Sequence, residues 1–110
     1  MQFTVTSWNI NSIRARKDQL RPCFESTEFD VLCLQELKCT EQEFPHDVVA
    51  ELGLHSAIHG EKQYNGVAIL SKEKPLQFRT DLLPAMYGSR LIEAEFEKAT
   101  VWSVYVTNGR

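Results

Sequence analysis

Residues 31–36 read VLCLQE, four apolar residues followed by a glutamine and a glutamate. A run that is apolar at every position is typical of a strand buried on both faces of a sheet. An earlier run, FTVTSW at residues 3–8, is rich in β-branched and aromatic residues and predicts another strand. Two such strands joined by a helix form a parallel, right-handed unit, so the sequence predicts an α/β fold.

The segment between these strands predicts the helix that such a unit needs. Residues 13–27 mix apolar and charged side chains, and Ser12 can cap a helix that starts after it. Pro22 is expected to break or kink this helix, since proline lacks the N–H and clashes with the preceding turn. The two strands end at Asn9 and at Glu36, so a carboxamide and a carboxylate are expected at the same edge of the sheet, where ligands bind.

The rest of the chain predicts one more helix and five more strands. The helix is expected over residues 45–52, with Pro45 near its first position and Gly53 at its end. The predicted strands cover residues 54–59, 67–71, 76–80, 92–97 and 100–106, with a polar turn at 60–66 and a loop at 81–89. A mixed sheet with flanking helices is the architecture expected from this order.

The composition favours one globular domain over residues 1–110. Of its residues, 43% are hydrophobic and 25% are charged, which excludes collagen-like, coiled-coil and disordered chains. The formal net charge of −3 means that a nucleic acid would have to meet a local basic patch or a metal ion. No apolar run is long enough for a membrane span, and no signal peptide pattern is present. Three cysteines without a C-x-x-C pair predict reduced thiols and a cytoplasmic location.

Glu36 is the single residue that most suggests chemistry. A carboxylate that directly follows a buried strand faces solvent or meets a cation. Mg²⁺ takes oxygen ligands, usually one or two protein carboxylates plus waters and phosphate, and Asn9 can add a carbonyl oxygen at the same edge. Acidic strand ends are also common without any ligand, so spacing alone leaves both interpretations open.

A group of basic residues lies near the same edge. Arg14, Arg16, Lys17 and Arg21 follow the first strand, and Lys38 follows Glu36. They would bind phosphate locally in a chain that is acidic overall, although short basic runs on helices are more often solvated faces. Tyrosines in apolar strands, such as Tyr105, are usually core residues with a tethered hydroxyl.

Five motifs, taken together and in this order, favour a functional interpretation of these residues over a purely structural one. They are WNINSIRA at 8–15, CLQELK at 33–38, YNGVAILS at 64–71, SRLIEAEF at 89–96 and YVTNGR at 105–110. The chain resembles the exodeoxyribonuclease III family of apurinic/apyrimidinic endonucleases, within the endonuclease/exonuclease/phosphatase superfamily. The resemblance runs along the whole chain, and the first two motifs with their separation are the specific ones.

The resemblance implies a role for several residues. Glu36 matches the family's metal-ligand glutamate, Asn9 the active-centre asparagine beside the metal, and Asn11 a residue close to the metal. Tyr105 matches the active-site tyrosine that acts on the scissile phosphate, and the implied metal is Mg²⁺ or Mn²⁺. Positions that match DNA-contacting or site-supporting residues are Arg14, Lys38, Tyr64, Arg90 and Asn108. The sequence departs from the family where Ser12 replaces a glycine and Thr107 a proline.

The resemblance also implies a fold and a reaction. The fold is the deoxyribonuclease I-like four-layer α/β sandwich, and this chain is expected to form its first sheet with the flanking helices. The reaction is metal-assisted hydrolysis of double-stranded DNA beside abasic sites and at 3′ ends. Family members are more than twice as long, and their second half supplies further catalytic residues, so little or no catalysis is expected from these residues alone.

This interpretation has one structural consequence, and two alternative functions remain. A sheet built to pack on another would expose an apolar face, which predicts a dimer, a second chain covering it, or poor solubility. One alternative is a phosphatase or phosphodiesterase of the same superfamily that acts on lipids or inositol phosphates. The other is a non-catalytic nucleic-acid or protein-interaction module, for which DNA binding would be salt-sensitive and independent of metal.

Overall fold

A computed structural model describes residues 2–106, which form seven strands and three short α-helices. The strands are β1 (Val5–Asn9), β2 (Val31–Gln35), β3 (His55–His59), β4 (Val67–Ser71), β5 (Gln77–Arg79), β6 (Leu91–Glu95) and β7 (Thr100–Val104). The helices are α1 (Ile13–Arg16), α2 (Leu20–Ser26) and α3 (His46–Glu51), with 3₁₀ turns at Lys17–Gln19 and Ala85–Tyr87. Every element predicted from the sequence is therefore present, although several are shorter.

The first sheet has the strand order β1-β2-β4-β3. β1 runs parallel to β2, while β4 is antiparallel to both β2 and β3. β2 and β4 are buried at every position, as expected for strands whose first four residues are all apolar. The register places Asn9 opposite Gln35, so the parallel unit and the shared strand end predicted from the sequence are confirmed.

The remaining strands form a second sheet, with the order β5-β6-β7 and antiparallel pairing throughout. The expectation that this chain forms only the first sheet is therefore wrong. Alternation along β6 and β7 buries one face of each strand. The same alternation is expected whether the strands pair into the first sheet or pack face to face against it. Ile92, Ala94 and Val101 form one core cluster with residues of β2, β3 and β4.

The core consists of two clusters on opposite faces of the first sheet. One lies between the sheets and contains Val31, Cys33, Ala57, Val67, Ile69, Ile92, Ala94, Phe96 and Val101. The other lies under the helices and includes Ile10, Ile13, Leu20, Phe29, Leu32, Leu34, Leu37, Val49 and Leu70. The described residues thus build three layers: helices, first sheet and second sheet.

A buried polar group fastens the two sheets together. The side-chain amide of Gln35 donates to Ser7 Oγ and to Ser103 Oγ, each at 3.1 Å. Ser103 Oγ in turn donates to the backbone carbonyl of Leu34 at 2.9 Å. Because buried polar groups are costly unless they are hydrogen-bonded, this network fixes where β7 crosses the end of β2.

Two large apolar side chains, Trp102 and Val104, are exposed on the outer face of the second sheet. Much of the first sheet's inner face is covered by β6 and β7, whereas Trp102 is 59% and Val104 45% exposed on the outer face of β7. The Trp102 indole N–H donates to Glu93 Oε1 on the neighbouring strand at 2.7 Å. Glu93 and Glu95 share this outer face with Trp102 and Thr100, so the second sheet exposes a few apolar side chains among polar ones and not the wide apolar face predicted for the first sheet.

The first helical segment breaks before Pro22, not at it. α1 ends at Arg16, the 3₁₀ turn follows, and α2 starts at Leu20. Pro22 then occupies the first turn of α2, where backbone N–H groups have no intrahelical partner and proline is tolerated. Ser12 caps α1 as predicted, since its hydroxyl accepts from the backbone N–H of Ala15 at 3.3 Å.

Within residues 2–106 no helix combines the length and the hydropathy needed to cross a lipid bilayer.

Candidate active site

The ends of β1 and β2 lead into two loops with strained backbone. Asn11, Ser12, Glu36 and Lys38 all have positive φ, between 46° and 82°. Such conformations are disfavoured for residues with a side chain and persist only where the surroundings hold them. The loops are held to each other: the backbone N–H of Ser12 donates to the carbonyl of Glu36 at 2.8 Å, and Ile13 N–H to Leu37 at 3.2 Å.

These loops bring four of the predicted site residues into one hydrogen-bonded cluster. Asn9 Nδ2 donates to Glu36 Oε2 at 2.5 Å, and Asn9 Oδ1 accepts from the backbone N–H of Asn11 at 3.2 Å. Lys38 Nζ lies 2.6 Å from Asn11 Oδ1 and 3.9 Å from Glu36 Oε1. Asn9, Asn11, Glu36 and Lys38 therefore meet at the carboxyl end of the parallel strands. We call these four residues the edge cluster.

Arg14 adjoins the edge cluster and is oriented by a carboxylate that the sequence analysis missed. Its guanidinium lies 3.1 Å from Glu43 Oε2 and also donates to the carbonyl of Lys38 at 3.2 Å. Glu43 and Thr40 exchange hydrogen bonds, with Thr40 N–H donating to Glu43 Oε1 at 2.9 Å and Glu43 N–H to Thr40 Oγ1 at 3.2 Å. The pattern T-x-x-E at residues 40–43 is the capping-box signature and would have identified this pair.

A chain of backbone hydrogen bonds links the edge cluster to the other predicted site residues. Leu37 N–H donates to Gly66 O at 3.0 Å, and Gly66 N–H donates to Ser89 O at 2.9 Å. Tyr105 N–H donates to Arg90 O at 2.8 Å. The loops that carry Glu36, Gly66, Arg90 and Tyr105 are thus tied in series, although they are far apart in sequence.

The remaining predicted site residues lie on or next to the other loops that these backbone hydrogen bonds connect. Tyr64 projects from the β3–β4 loop and is 69% exposed. Tyr105 packs partly against the core between the sheets and, with Arg90 and Trp102, lines an apolar pocket of about 400 Å³. Arg90 Nε is buried without a hydrogen-bond partner among the described residues. Asn108 and Thr107 lie outside the described residues.

Glu61 joins two of these loops, and no sequence pattern pointed to it. Its Oε1 accepts from the backbone N–H of Ser89 at 2.7 Å and from Asn65 Nδ2 at 2.9 Å. Burial by itself would raise the pKa of the Glu61 carboxyl, but the two hydrogen bonds, with His59 and Arg90 nearby, lower it below the ordinary value of 4.5. Glu61 therefore acts as a carboxylate that joins the β3–β4 loop to the β5–β6 loop.

This lowered pKa predicts a pH-dependent contribution of Glu61 to stability. A carboxylate with a depressed folded-state pKa stabilises the fold above its unfolded pKa, and that stabilisation is lost as the pH falls through the folded value. We expect Glu61→Gln to be less stable than the parent near neutral pH, with the difference shrinking below about pH 4. Chemical denaturation across this pH range measures it, with the exposed Glu97→Gln as the control for one lost charge. A difference that stays constant with pH would contradict the assignment.

The donor atoms of the edge cluster suit a hard divalent cation. Glu36 offers carboxylate oxygens, and Asn9 and Asn11 offer carbonyl oxygens, which are the ligand types that Mg²⁺ and Mn²⁺ prefer. A positive group already lies beside two of these oxygens, since Lys38 Nζ contacts Asn11 Oδ1. Across residues 2–106 there is no group of three or more acidic, histidine or cysteine side chains arranged for a metal ion. One carboxylate, waters and a substrate phosphate would complete the coordination, as is usual for Mg²⁺.

Thiol chemistry does not fit this site. Cys23, Cys33 and Cys39 are free, and burial raises the pKa of each thiol, to about 11 for Cys33 despite a hydrogen bond with Ser103. The raised pKa keeps these three thiols protonated near neutral pH, whereas the thiolate is the form that attacks or binds metal.

Comparison with known proteins places these features in one family. Residues 6–101 match the Endonuclease/Exonuclease/phosphatase family. The exodeoxyribonuclease III of Haemophilus influenzae is 39% identical over 111 residues, an alignment that covers 94% of this chain and 41% of that protein. The chain thus spans about two fifths of the length of this relative.

Solved structures agree with the sequence matches. A Neisseria 3′ phosphatase, NExo, bound to a product DNA hairpin has a TM-score of 0.89 and 35% identity, over 98% of this chain and 43% of that one. An AP endonuclease from Archaeoglobus fulgidus has a TM-score of 0.88 and 33% identity, over 96% and 41%. These likenesses confirm the fold class predicted from the motifs, part of a larger deoxyribonuclease I-like α/β sandwich.

Proposed function

This chain belongs to the endonuclease/exonuclease/phosphatase family, and from that premise we propose that it is part of a metal-dependent DNA repair nuclease. The observation that carries the proposal is the edge cluster, in which Glu36, Asn9 and Asn11 direct oxygen atoms to one edge of the first sheet beside Lys38. Oxygen ligands beside a lysine form a site suited to a phosphodiester and a divalent cation.

Each member of the proposed site has a distinct task. Glu36, with Asn9 and Asn11, would hold Mg²⁺ or Mn²⁺, and the ion when bound supplies positive charge against the charge that develops on phosphate oxygens. Asn9 orients the Glu36 carboxylate through its side-chain amide. Tyr105, tied to Arg90 through its backbone N–H, would present its hydroxyl to the scissile phosphate.

The family resemblance also proposes a set of DNA-contacting residues on the loops near the edge cluster. Arg14 is oriented by Glu43, and Tyr64 is free to stack or to contact a sugar because most of its ring is exposed. Arg90 is held at the β5–β6 loop that Glu61 braces. With Lys38 and Asn108 they would grip the backbone of double-stranded DNA, which fixes position without reading sequence.

Abasic sites and 3′ ends are the proposed substrates. Support comes from the relatives: one similar structure is titled an AP endonuclease, and another a 3′ phosphatase with product DNA. The relative from Haemophilus influenzae is named an exodeoxyribonuclease. The three free cysteines support the cytoplasm as the location, because a reducing compartment keeps thiols unpaired.

We expect these 110 residues alone to catalyse little or no hydrolysis. Glu36 is the one carboxylate of the edge cluster, and metal binding would occupy it, so no second group in that cluster can activate water. The similar proteins extend well beyond the matched part. We propose that polypeptide equivalent to their remainder covers the exposed Trp102 and Val104 on the outer face of the second sheet, either within one chain or as a second chain.

The test measures binding and nicking of a fluorescent duplex that carries a tetrahydrofuran abasic analogue. The chain is expected to bind this duplex more tightly with Mg²⁺ than with EDTA. Glu36→Gln should reduce that metal-dependent gain by about tenfold or more, because it removes the charged ligand. Glu97→Gln, an exposed residue of the β6–β7 turn, should retain the gain.

Two outcomes would change the proposal. Metal-independent, salt-sensitive binding that survives Glu36→Gln but falls with Arg14→Ala would overturn it in favour of a non-catalytic DNA-binding module. Strong Mg²⁺-dependent nicking by the chain alone, lost in Glu36→Gln, would support the metal site and contradict the expectation that these residues are inactive.

A further inference from the structure

The oxygens that would bind a metal in the edge cluster are already engaged by donors from the protein. Glu36 Oε2 accepts from Asn9 Nδ2 at 2.5 Å, while Lys38 Nζ approaches Glu36 Oε1 to 3.9 Å. The same ammonium lies 2.6 Å from Asn11 Oδ1. Lys38 thus lies between two residues that belong to the proposed ligand set, in contact with one and within ion-pair distance of the other.

The backbone, not only the side chain, holds Lys38 at this position. Its φ of 56° is a left-handed conformation, which costs energy for a residue with a side chain. Two hydrogen bonds maintain it: Lys38 N–H donates to Asn65 O at 2.9 Å, and Lys38 O accepts from Arg14 Nη2 at 3.2 Å. The fixed backbone starts the Lys38 side chain at a point from which its ammonium reaches the oxygens of Asn11 and Glu36.

An ammonium and a divalent ion cannot share the same oxygens in direct contact, because their repulsion would be strong in a partly desolvated site. The Glu36 side chain is only 23% and that of Lys38 only 37% exposed, so water screens the pair incompletely. A phosphodiester would give the displaced ammonium a new anionic partner. Metal binding and phosphate binding would then favour each other.

We infer that Lys38 is a built-in cation that occupies the edge cluster in the free protein and must leave it when a divalent metal binds. The inference rests on the proposed function, since it takes Glu36 as the metal ligand. It makes Lys38 a residue that lowers metal affinity in the absence of DNA and couples metal binding to the arrival of a phosphate. Removal of the ammonium should therefore strengthen metal binding to the free chain.

The test is a Mn²⁺ titration of the isotopically labelled chain, followed by paramagnetic broadening of the backbone amide signals of Asn11, Glu36 and Leu37. Lys38→Met keeps the backbone hydrogen bonds that fix residue 38 and removes only the charge. We expect its broadening to be half complete at a Mn²⁺ concentration about fivefold to tenfold lower than in the parent chain. Lys62→Met is the matched control, since Lys62 is close enough to affect Glu43 but makes no contact with the edge cluster oxygens.

The outcomes separate this inference from the proposed function. If Lys38→Met leaves the Mn²⁺ midpoint unchanged while Glu36→Gln abolishes the broadening, Lys38 does not occupy the site, although the metal site stands. If Lys62→Met strengthens binding as much as Lys38→Met, and high salt removes both gains, the effect is a general field and the inference is wrong. If Glu36→Gln leaves the broadening intact, the proposed metal site itself is wrong.

Discussion

Replacing Leu34 with alanine is expected to lower the free energy of unfolding by about 2–5 kcal/mol. Leu34 is fully buried in β2, the central parallel strand, and belongs to the core cluster under the helices. Removing its methyl groups loses apolar burial and leaves a cavity that neighbouring side chains fill only in part. Domains of this size have a free energy of unfolding of only about 5–15 kcal/mol, so this loss would remove a large part of the total stability.

Urea denaturation monitored by circular dichroism measures this loss. Leu76→Ala is the matched control, because the same atoms are removed from a leucine that is 67% exposed. We expect that control to change the stability by less than about 0.5 kcal/mol. Equal losses in the two variants would show that β2 is not the centre of the core.

Gly66→Ala is expected to destabilise the chain by about 2–4 kcal/mol and to disturb the edge cluster. Gly66 has a φ of 94°, and a Cβ built on it would lie 2.8 Å from the Cβ of Leu37. The glycine also accepts from the N–H of Leu37 and donates to Ser89 O, so a shift there moves the segment next to Glu36. Denaturation gives the stability change, and amide shifts of Glu36 and Lys38 report the movement.

Gly53→Ala separates the two causes of this loss. Gly53 also has a positive φ, of 75°, but a Cβ added to it would meet no atom within 4 Å. The control therefore carries only the conformational cost of about 1–2 kcal/mol. If both variants lose the same stability and the signals of Glu36 do not move in Gly66→Ala, the contact with Leu37 is not what fixes this loop.

The sequence was sufficient to predict the local elements and the edge where the site forms. The unbroken apolar run of β2 and the alternating β1 predicted a parallel pair, in which β2 is buried and β1 is partly exposed, and their ends brought Asn9 and Glu36 together. The division into two sheets was beyond reach, because alternation in β6 and β7 shows that one face is buried but not what covers it.

Long-range polar partners were the other part that sequence could not supply. Glu61 receives hydrogen bonds from Asn65 four residues away and from Ser89, which is 28 residues away. Glu43 differs, because the local T-x-x-E pattern encodes its bond with Thr40. The break before Pro22 also follows a local rule, since the chain places the proline in the first turn of a new helix.

We propose that the ends of β1 and β2 form a metal site for phosphodiester chemistry. Crystals of the chain grown with Mn²⁺ and a short duplex carrying an abasic analogue test it most directly, through anomalous scattering at the manganese edge. We predict a peak at about 2.0–2.3 Å from a Glu36 carboxylate oxygen, with a DNA phosphate beside it and Lys38 moved away from Asn11. Mn²⁺ bound elsewhere, with Lys38 still on Asn11 and no phosphate at this edge, would contradict the account.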